Sequence, residues 1–215
     1  MIISKMHKLV IPILLLVSMY VNSQIRYGAK GNLQFTNVTE VHEESDTRAF
    51  GIGIGLFAQM PLNDRNNRFF FRPEIIYSQQ GEDNGDPYNV KYYQSYINVP
   101  FMFKYYFPDF LFFPRSRCNC PGKLSHEFFV EAGPQVGFLI QEKNKEFDDK
   151  YYGGATKVDF SVGVGVGYSI RRRIELSVRY NYGVTDTYSN YPRLNSTSNL
   201  AFTFSYFFAR DPDFD

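Results

Sequence analysis

The sequence predicts an all-β fold, an eight-stranded antiparallel up-and-down transmembrane β-barrel. Apolar and polar residues alternate with a period of two along eight segments, which is typical of strands with two different faces. The connections between these segments alternate between long polar loops and short turns, as in outer-membrane barrels. The polar face is rich in glycine and in charged residues, which suit a crowded interior better than a solvated exterior.

The composition is rich in aromatic residues and nearly balanced in charge. The 215 residues include 22 Phe, 17 Tyr and 16 Gly, but no Trp. Lys and Arg number 23 against 22 Asp and Glu, so the formal net charge is only +1. This balance excludes the basic field that binding to nucleic acid requires, and the 44% hydrophobic content excludes a disordered chain.

The first element is a secretory signal peptide over residues 1–23. Lys5 and Lys8 form its positive start, and an almost unbroken apolar stretch runs from Leu9 to Met19. An N-terminal membrane anchor is the alternative, but the apolar stretch is short for a membrane span. We therefore expect residues 24–215 to form an outer-membrane β-barrel domain that contains no transmembrane helix.

Eight segments carry the alternation after the signal peptide. They cover residues 26–35, 50–59, 71–78, 97–105, 128–141, 158–170, 174–183 and 199–208. The clearest is the sixth, from Val158 to Ile170, in which seven alternate positions are apolar or aromatic and the positions between them are small or acidic. Segments of roughly 9–14 residues suit tilted membrane-spanning strands.

Four long polar loops and a set of shorter turns connect these segments. The loops are predicted at residues 37–48, 81–91, 142–156 and 185–197. Short turns are predicted at 61–67 and 171–173, on the opposite rim. The connection 108–126 belongs to the same rim as the short turns but has 19 residues, and the sequence offers no reason for its length.

The alternation alone does not say which face points inward, because a soluble barrel or sandwich would fill its interior with the apolar face. Two observations favour the opposite arrangement. Runs of alternate glycines (Gly51 to Gly55 and Gly163 to Gly167) would leave bare backbone on a solvated exterior. The apolar face is also too bulky to pack inside eight strands. Turned outward it contacts lipid, and the sheet must close so that its backbone groups are paired.

This orientation places nine charged residues inside the barrel, five of them positive and four negative. They are Arg26, Lys30, Arg72, Lys104 and Arg179, and Glu74, Glu131, Asp159 and Glu175. Because unpaired ions in a low-dielectric lumen are costly, the near balance predicts a structural network of paired charges. Eight strands leave room only for side chains. We therefore expect a filled lumen and no general diffusion pore, although a selective proton or ion path stays open as an alternative.

Aromatic residues cluster toward the strand ends, which is typical of the girdles that barrels place at the two membrane interfaces. Members of the predicted girdles are Tyr27, Phe50, Phe69, Tyr92, Tyr93, Tyr105, Tyr106, Phe128, Tyr168, Tyr182, Tyr206 and Phe208. A general preference of aromatic residues for strands is the alternative explanation.

Five short motifs occur in order along the chain after residue 24. They are Gly28–Gly31, Pro73–Gly81, Ile97–Pro100 with Lys104 and Tyr105, Glu131–Pro134, and Gly165–Tyr168. Together they resemble the PorT-type outer-membrane β-barrel proteins of Bacteroidota. The resemblance implies a barrel in the bacterial outer membrane, but no particular activity. The motifs place Pro73, Pro100 and Pro134 within strands, where the missing N–H predicts bulges or local breaks.

Candidate chemistry is sparse, and we predict no catalytic residue, cofactor or metal site. His42 lies beside acidic residues in the first loop, with Ser45, Asp46 and Ser78 as candidate partners, but their spacing matches no known nucleophilic motif. Asp148 and Asp149 lack the spacing of an EF-hand.

The two cysteines, Cys118 and Cys120, lie in the long 108–126 connection. A zinc site needs four ligands and thioredoxin-like chemistry needs a different spacing, so we expect a structural disulfide or two free thiols.

The resulting functional prediction is a non-enzymatic barrel with a structural or interaction role. Outer-membrane lipid surrounds it, and the four long loops offer a surface for a protein partner. The alternatives are a lipid- or peptide-modifying enzyme at the loop rim, and a narrow channel or transport accessory.

Overall fold

The computed structural model describes residues 25–38, 49–62, 68–84, 90–107, 126–144, 156–185 and 196–209. These residues form eight strands. The strands are β1 (Arg26–Val38), β2 (Ala49–Pro61), β3 (Phe69–Asn84), β4 (Val90–Tyr106), β5 (His126–Asn144), β6 (Val158–Ile170), β7 (Ile174–Gly183) and β8 (Thr197–Phe207). Each strand pairs antiparallel with the next, and β8 pairs with β1, which closes the barrel. The predicted fold is confirmed.

The two faces of the strands point as the sequence predicts. Ile54 and Val166 lie on the outer wall, 65% and 60% exposed, whereas Arg72 and Lys104 are buried inside, 1% and 0% exposed. A water-soluble protein buries its large apolar side chains and exposes its ions. The reverse arrangement here gives the outer wall a hydrocarbon surface that suits lipid, with every strand paired on both sides.

Below, the end of the barrel that carries the β1–β2, β3–β4, β5–β6 and β7–β8 connections is called the loop rim, and the opposite end is the turn rim. The strands reach further toward the loop rim than the alternation predicts. Residues 81–84 of β3 pair with residues 90–93 of β4, so only 85–89 connect these strands, and the predicted loop 81–91 is wrong in most of its length. β5 likewise continues to Asn144, inside the predicted loop 142–156. Hydrophobic alternation reports only the lipid-facing part of a strand, whereas the backbone ladder continues with polar side chains beyond it.

The three strand prolines coincide with interruptions of the ladder. The β3–β4 pairing passes from Pro73↔Phe101 to Ile76↔Asn98, and the two intervening pairs, which would include Pro100, are missing. The β4–β5 pairing similarly omits two pairs, one of which would include Pro134. The expected local breaks are present, and the register on either side of each break is the same. A register shift lies elsewhere, between Ser95 and Tyr96.

Several predictions lie outside the described residues. These are the signal peptide 1–23, most of the loops 37–48, 142–156 and 185–197, the connection 108–125 with its two cysteines, and His42. In the part of the chain that the structure describes, no helix is long and apolar enough to cross a membrane. No group of three or more His, Cys, Asp or Glu side chains among those residues is placed to hold a metal ion.

Candidate functional site

The barrel interior contains a cluster of buried ion pairs at its centre. Seven of the nine predicted lumen charges belong to it, contributed by five strands. The members of this ion-pair cluster are Lys30 of β1, Arg72 and Glu74 of β3, Lys104 of β4, Glu131 of β5, and Glu175 and Arg179 of β7. Each of the seven side chains is at most 4% exposed. The alternation aims them inward, and closure of the sheet brings them together.

Glu74 joins three of the four cations. Its Oε2 accepts from Lys30 Nζ at 2.8 Å and from Arg179 Nη1 at 2.8 Å. Its Oε1 accepts from Arg179 Nη2 at 3.0 Å and lies 3.2 Å from Arg72 Nε. The parallel pair of bonds from Arg179 fixes the plane of the carboxylate, because a guanidinium and a carboxylate match in a bidentate geometry.

Glu175 is the second centre of the cluster, on the side of the turn rim. Its Oε2 accepts from Arg72 Nη1 and from Lys104 Nζ, each at 2.7 Å, and the Tyr106 hydroxyl donates to its Oε1. Arg72 also donates to the Ser205 hydroxyl at 3.1 Å. Arg72 therefore bridges Glu175 to Glu74.

Glu131 completes the cluster on the β5 side. Its Oε1 accepts from Arg179, with Nε at 2.8 Å and Nη2 at 2.7 Å, and its Oε2 lies 3.7 Å from Lys104 Nζ. Four cations thus share three carboxylates in a space without bulk water. Removing these ions from water is costly, and the cost is offset only because nearly every charge has more than one partner.

An aromatic layer supports the cluster on the turn-rim side. Arg72 Cζ lies 3.6 Å from the centre of the Phe57 ring, and Lys104 Nζ lies 3.7 Å from the centre of the Phe129 ring. These are distances at which a ring face attracts a cation. Phe129 also packs against Tyr106 and, through it, Phe70. The layer closes the lumen beneath the ions.

The prediction that Tyr106 belongs to an interfacial girdle is wrong, because its side chain is fully buried in the lumen. Sequence reasoning also did not assign Phe57, Phe129 and Phe207, which are buried inside. The alternation itself could have identified them, because side chains two residues apart on a strand point to the same face. Tyr106 is two residues from Lys104, and Phe129 is two residues from Glu131. Their aromatic character favoured the outer wall, whereas the alternation places them inward.

Neutral amides line the lumen on the loop-rim side of the cluster. Asn32, Asn181 and Asn199 are each at least nine-tenths buried, and the Oδ1 atom of each lacks a hydrogen-bond partner among the described residues. They border a cavity of about 10 Å³ beside Lys30 and Arg179. That volume accommodates about one water molecule.

Two of the nine predicted charges lie apart from the cluster, at opposite rims. Arg26 donates to the backbone carbonyls of Arg172 and Ala209 at the turn rim. Asp159 lies at the loop rim, half-buried, and accepts from the hydroxyls of Thr185 and Thr197 at 2.8 and 3.2 Å. The observed ion-pair cluster is therefore smaller than the predicted network. The alternation of a strand fixes whether a side chain points inward but not its height along the barrel axis.

One buried ion pair at the turn rim was not predicted. Arg172 Nε and Nη2 donate to the two carboxylate oxygens of Glu127 at 2.6 and 2.9 Å. Glu127 has the parity of Glu131, so extending the alternation of β5 by two residues would have identified it. Arg172 lies in a turn, where alternation does not apply.

The candidate catalytic residues do not form a site in the described part of the chain. The Ser78 hydroxyl is buried and accepts from Gln34 Nε2 at 2.7 Å. Ser45 and Asp46, like His42, lie outside the described residues. His126, which the structure does describe, contacts the hydroxyl of Tyr168 through Nδ1 at 2.5 Å, at the opposite rim from Ser78.

Comparisons with known proteins agree with this architecture. A family model described as "Outer membrane protein beta-barrel domain" matches residues 4–189. No curated protein matches the chain. Among solved structures, the outer membrane enzyme PagL is 12% identical, with a TM-score of 0.50, and the match covers 82% of this chain and 98% of PagL.

Two further solved structures match this chain at lower similarity. Neisserial surface protein A is 12% identical, with a TM-score of 0.45, and the match covers 85% of this chain and 96% of that protein. The attachment invasion locus protein of Yersinia pestis, in complex with a heparin analogue, is 12% identical with a TM-score of 0.40, over 86% and 99% of the two chains. These likenesses concern the fold alone.

Proposed function

We propose that this chain, which belongs to the outer membrane protein β-barrel domain family and lies in the bacterial outer membrane, is a closed, non-conducting barrel that presents its loop rim as a binding surface. The observation that carries the proposal is the ion-pair cluster. Seven charged side chains from five strands fill the lumen at mid-height. A barrel closed in this way anchors surface loops without transporting solutes.

Two finer assignments belong to the same proposal. The motifs from Pro73 to Gly81 and from Glu131 to Pro134 support a place within the PorT-type branch of outer-membrane barrels. The pattern of residues 1–23 supports export through a signal peptide that is removed from the mature protein.

The loop rim is the surface that we propose for a protein partner. Binding residues are disproportionately found on loops that a rigid scaffold positions. The four connections at this rim together contain charges of both signs, and β3, β4 and β5 extend their ladder beyond the lipid-facing part of the barrel. At the turn rim the β2–β3 and β6–β7 connections are short, with seven and three residues, and the β4–β5 connection is the long one.

We propose no enzymatic activity. PagL is described as an outer membrane enzyme, but at 12% identity its likeness to this chain concerns the fold alone. Ser78 and His126 lie on opposite sides of the ion-pair cluster and have other partners.

Planar-bilayer recordings test the closed lumen. The purified barrel is expected to produce no stable, reproducible conductance, because ions would have to displace the salt bridges of Glu74 and Glu175. An open porin recorded under the same conditions verifies that insertion occurs. Reproducible unitary steps from this protein would contradict the proposal and favour a channel.

Photo-cross-linking in intact outer membranes tests the binding surface. A photo-reactive amino acid is placed at the exposed Lys157, at the loop rim, or at the exposed Leu62, at the turn rim. A discrete protein adduct is expected from position 157 and none from position 62. Mass spectrometry of the adduct identifies the partner. Adducts from position 62 alone would assign binding to the turn rim instead.

A further inference from the structure

The turn between β6 and β7 is formed by three consecutive arginines, Arg171 to Arg173. Arg173 N–H donates to the Ile170 carbonyl at 2.9 Å, which closes a tight hairpin turn. Arg171 and Arg172 have φ angles of 50° and 46°, in the left-handed region. Two-residue hairpin turns of this kind favour Asn and Gly, because a larger side chain is strained at positive φ. The two central positions of this turn therefore hold side chains that local geometry disfavours.

Contacts with the barrel interior explain why an arginine occupies position 172. Its guanidinium makes the bidentate pair with Glu127 and lies 4.7 Å from the centre of the Tyr106 ring. Its carbonyl accepts from Arg26. These contacts hold the turn against the base of the lumen.

Contacts with the barrel interior do not explain why an arginine occupies position 171. Its side chain is exposed and forms no hydrogen bond or ion pair with the residues that the structure describes. Residues held in a disfavoured backbone conformation cluster at binding and functional sites. An exposed arginine at such a position therefore indicates a role outside the folded chain.

Arg173 lies on the other side of the turn, facing outward. Its Nη2 donates to the Tyr206 hydroxyl at 2.6 Å, and its guanidinium lies 5.3 Å from the centre of the Tyr206 ring. Its Nε is buried and has no acceptor among the described residues. Because the tyrosine engages Nη2, Nη1 is the donor of this guanidinium that is left for an acceptor outside the chain.

The surroundings of the turn are those of a membrane interface. Leu176 and Phe204, on the neighbouring strands, are about half-exposed on the lipid-facing wall, three residues or fewer from Arg173 and Tyr206. His126 and Tyr168 stack beside them with their rings 5.5 Å apart. A ring of amphipathic side chains at the edge of an apolar wall marks the level of lipid headgroups.

We propose that the β6–β7 turn is a binding site for the headgroup phosphate of an anionic phospholipid in the leaflet on the turn-rim side. Arg171 donates to the phosphate oxygens in the bidentate geometry in which arginine matches phosphate, and Arg173 adds a donor through Nη1. The acyl chains lie on the wall formed by Leu176 and Phe204. The site is independent of the binding surface proposed at the loop rim.

Native mass spectrometry of the detergent-solubilised barrel tests this site with three probes: short-chain phosphatidylglycerol, the matching phosphatidylcholine and inorganic phosphate. Wild-type protein is expected to retain phosphatidylglycerol over phosphatidylcholine by about fivefold per arginine, the factor expected for one cation near an anionic membrane surface. Inorganic phosphate is expected to bind much more weakly, because it lacks the acyl chains.

Variants at the turn separate lipid binding from folding. Arg171→Asn removes the cation but supplies a residue that tolerates positive φ, so phosphatidylglycerol retention is expected to fall about fivefold while the unfolding midpoint stays the same or rises. Arg173→Gln is expected to cause a similar loss of retention. The matched control is Lys157→Gln, which removes an exposed cation at the loop rim and is expected to leave phosphatidylglycerol retention unchanged.

Four results would overturn the proposal. The first is equal retention of the two lipids by the wild type, and the second is unchanged retention in Arg171→Asn. The third is a phosphatidylglycerol preference that emerges only when residues 210–215 are deleted, which would identify the acidic C-terminal tail as the occupant. Equal binding of inorganic phosphate and phosphatidylglycerol would likewise replace the lipid site with a simple anion site.

Discussion

Glu74→Gln is expected to lower the free energy of unfolding by about 3–5 kcal/mol, the range observed when one partner of a buried ion pair is removed. The substitution keeps the volume of the side chain but removes the charge that Lys30, Arg72 and Arg179 share. Four cations would then face two carboxylates in a space where neither water nor counter-ions can replace the third. Urea unfolding in lipid vesicles, followed by circular dichroism, measures the loss.

The chain offers a matched control in Asp159→Asn. Asp159 is also an inward-facing carboxylate, but its partners among the described residues are the hydroxyls of Thr185 and Thr197, and it lies at the loop rim. Its neutralisation is expected to cost no more than about 1 kcal/mol, the usual net contribution of a hydrogen bond. Equal losses in the two variants would show that the ion-pair cluster contributes no more than ordinary polar contacts.

A second substitution tests whether charge balance is the cause of the loss. Lys30 Nζ bonds to Glu74, so Lys30→Met in the Glu74→Gln background removes a cation that the first change left with a neutral partner. The double variant is expected to be more stable than Glu74→Gln alone. Such non-additivity between residues in contact is the signature of a direct interaction. Additive losses would instead mean that Glu74→Gln destabilises the barrel through changed packing and not through the unbalanced charge.

The sequence predicted the fold because the membrane imposes a simple rule on strands. Val162 and Val164 alternate with Ser161 and Gly163, and lipid outside with a crowded lumen inside leaves only one orientation for that pattern. A one-residue shift would put every valine inside. Strand identity and closure follow from this period, and the structure agrees with both. The same period predicts inward directions for the nine lumen charges, and eight of them are buried.

Partner choice inside the lumen could not be predicted in the same way. Parity places Arg26 and Arg179 on the same face, but only the register of each strand against the next sets their heights. Arg179 is level with Ala201 of β8, near the centre, whereas Arg26 is level with Gln59, near the end of β2. The register depends on loop and turn geometry, which the alternation of side chains does not encode.

The strand prolines show a related limit of what the sequence predicts about strand pairing. The sequence predicted that Pro73 and Pro100 would disturb the ladder because they lack a donor. The β2–β3 ladder is interrupted at Pro73 and the β3–β4 ladder at Pro100. The sequence did not predict that the register would continue unchanged across the gaps. A missing donor removes a bond, whereas a change of register needs an inserted residue, and the sequence signals only the first.

Two glycine substitutions are expected to change stability in opposite directions. A Cβ on Gly133 would lie 2.1 Å from the Phe101 carbonyl oxygen and 2.9 Å from Met102 Cα, both of which are backbone atoms of the neighbouring strand. Gly133→Ala therefore has to separate β4 from β5, and we expect a loss at the upper end of the range of about 1–3 kcal/mol for overpacking. The same urea titration measures it.

Gly31→Ala is the matched control, because Gly31 lies on the outer wall of β1 and the nearest atom to its Cβ would be 4.0 Å away. The methyl group would contact lipid and restrict only the unfolded chain, so a gain of about 0.4–1 kcal/mol is expected. Opposite signs from the same chemical change would show that strand spacing around Gly133 is set by backbone contact across the β4–β5 gap. A stable Gly133→Ala barrel would mean that the interrupted ladder there can widen without cost, and the lumen would then be less rigidly closed than its salt bridges require.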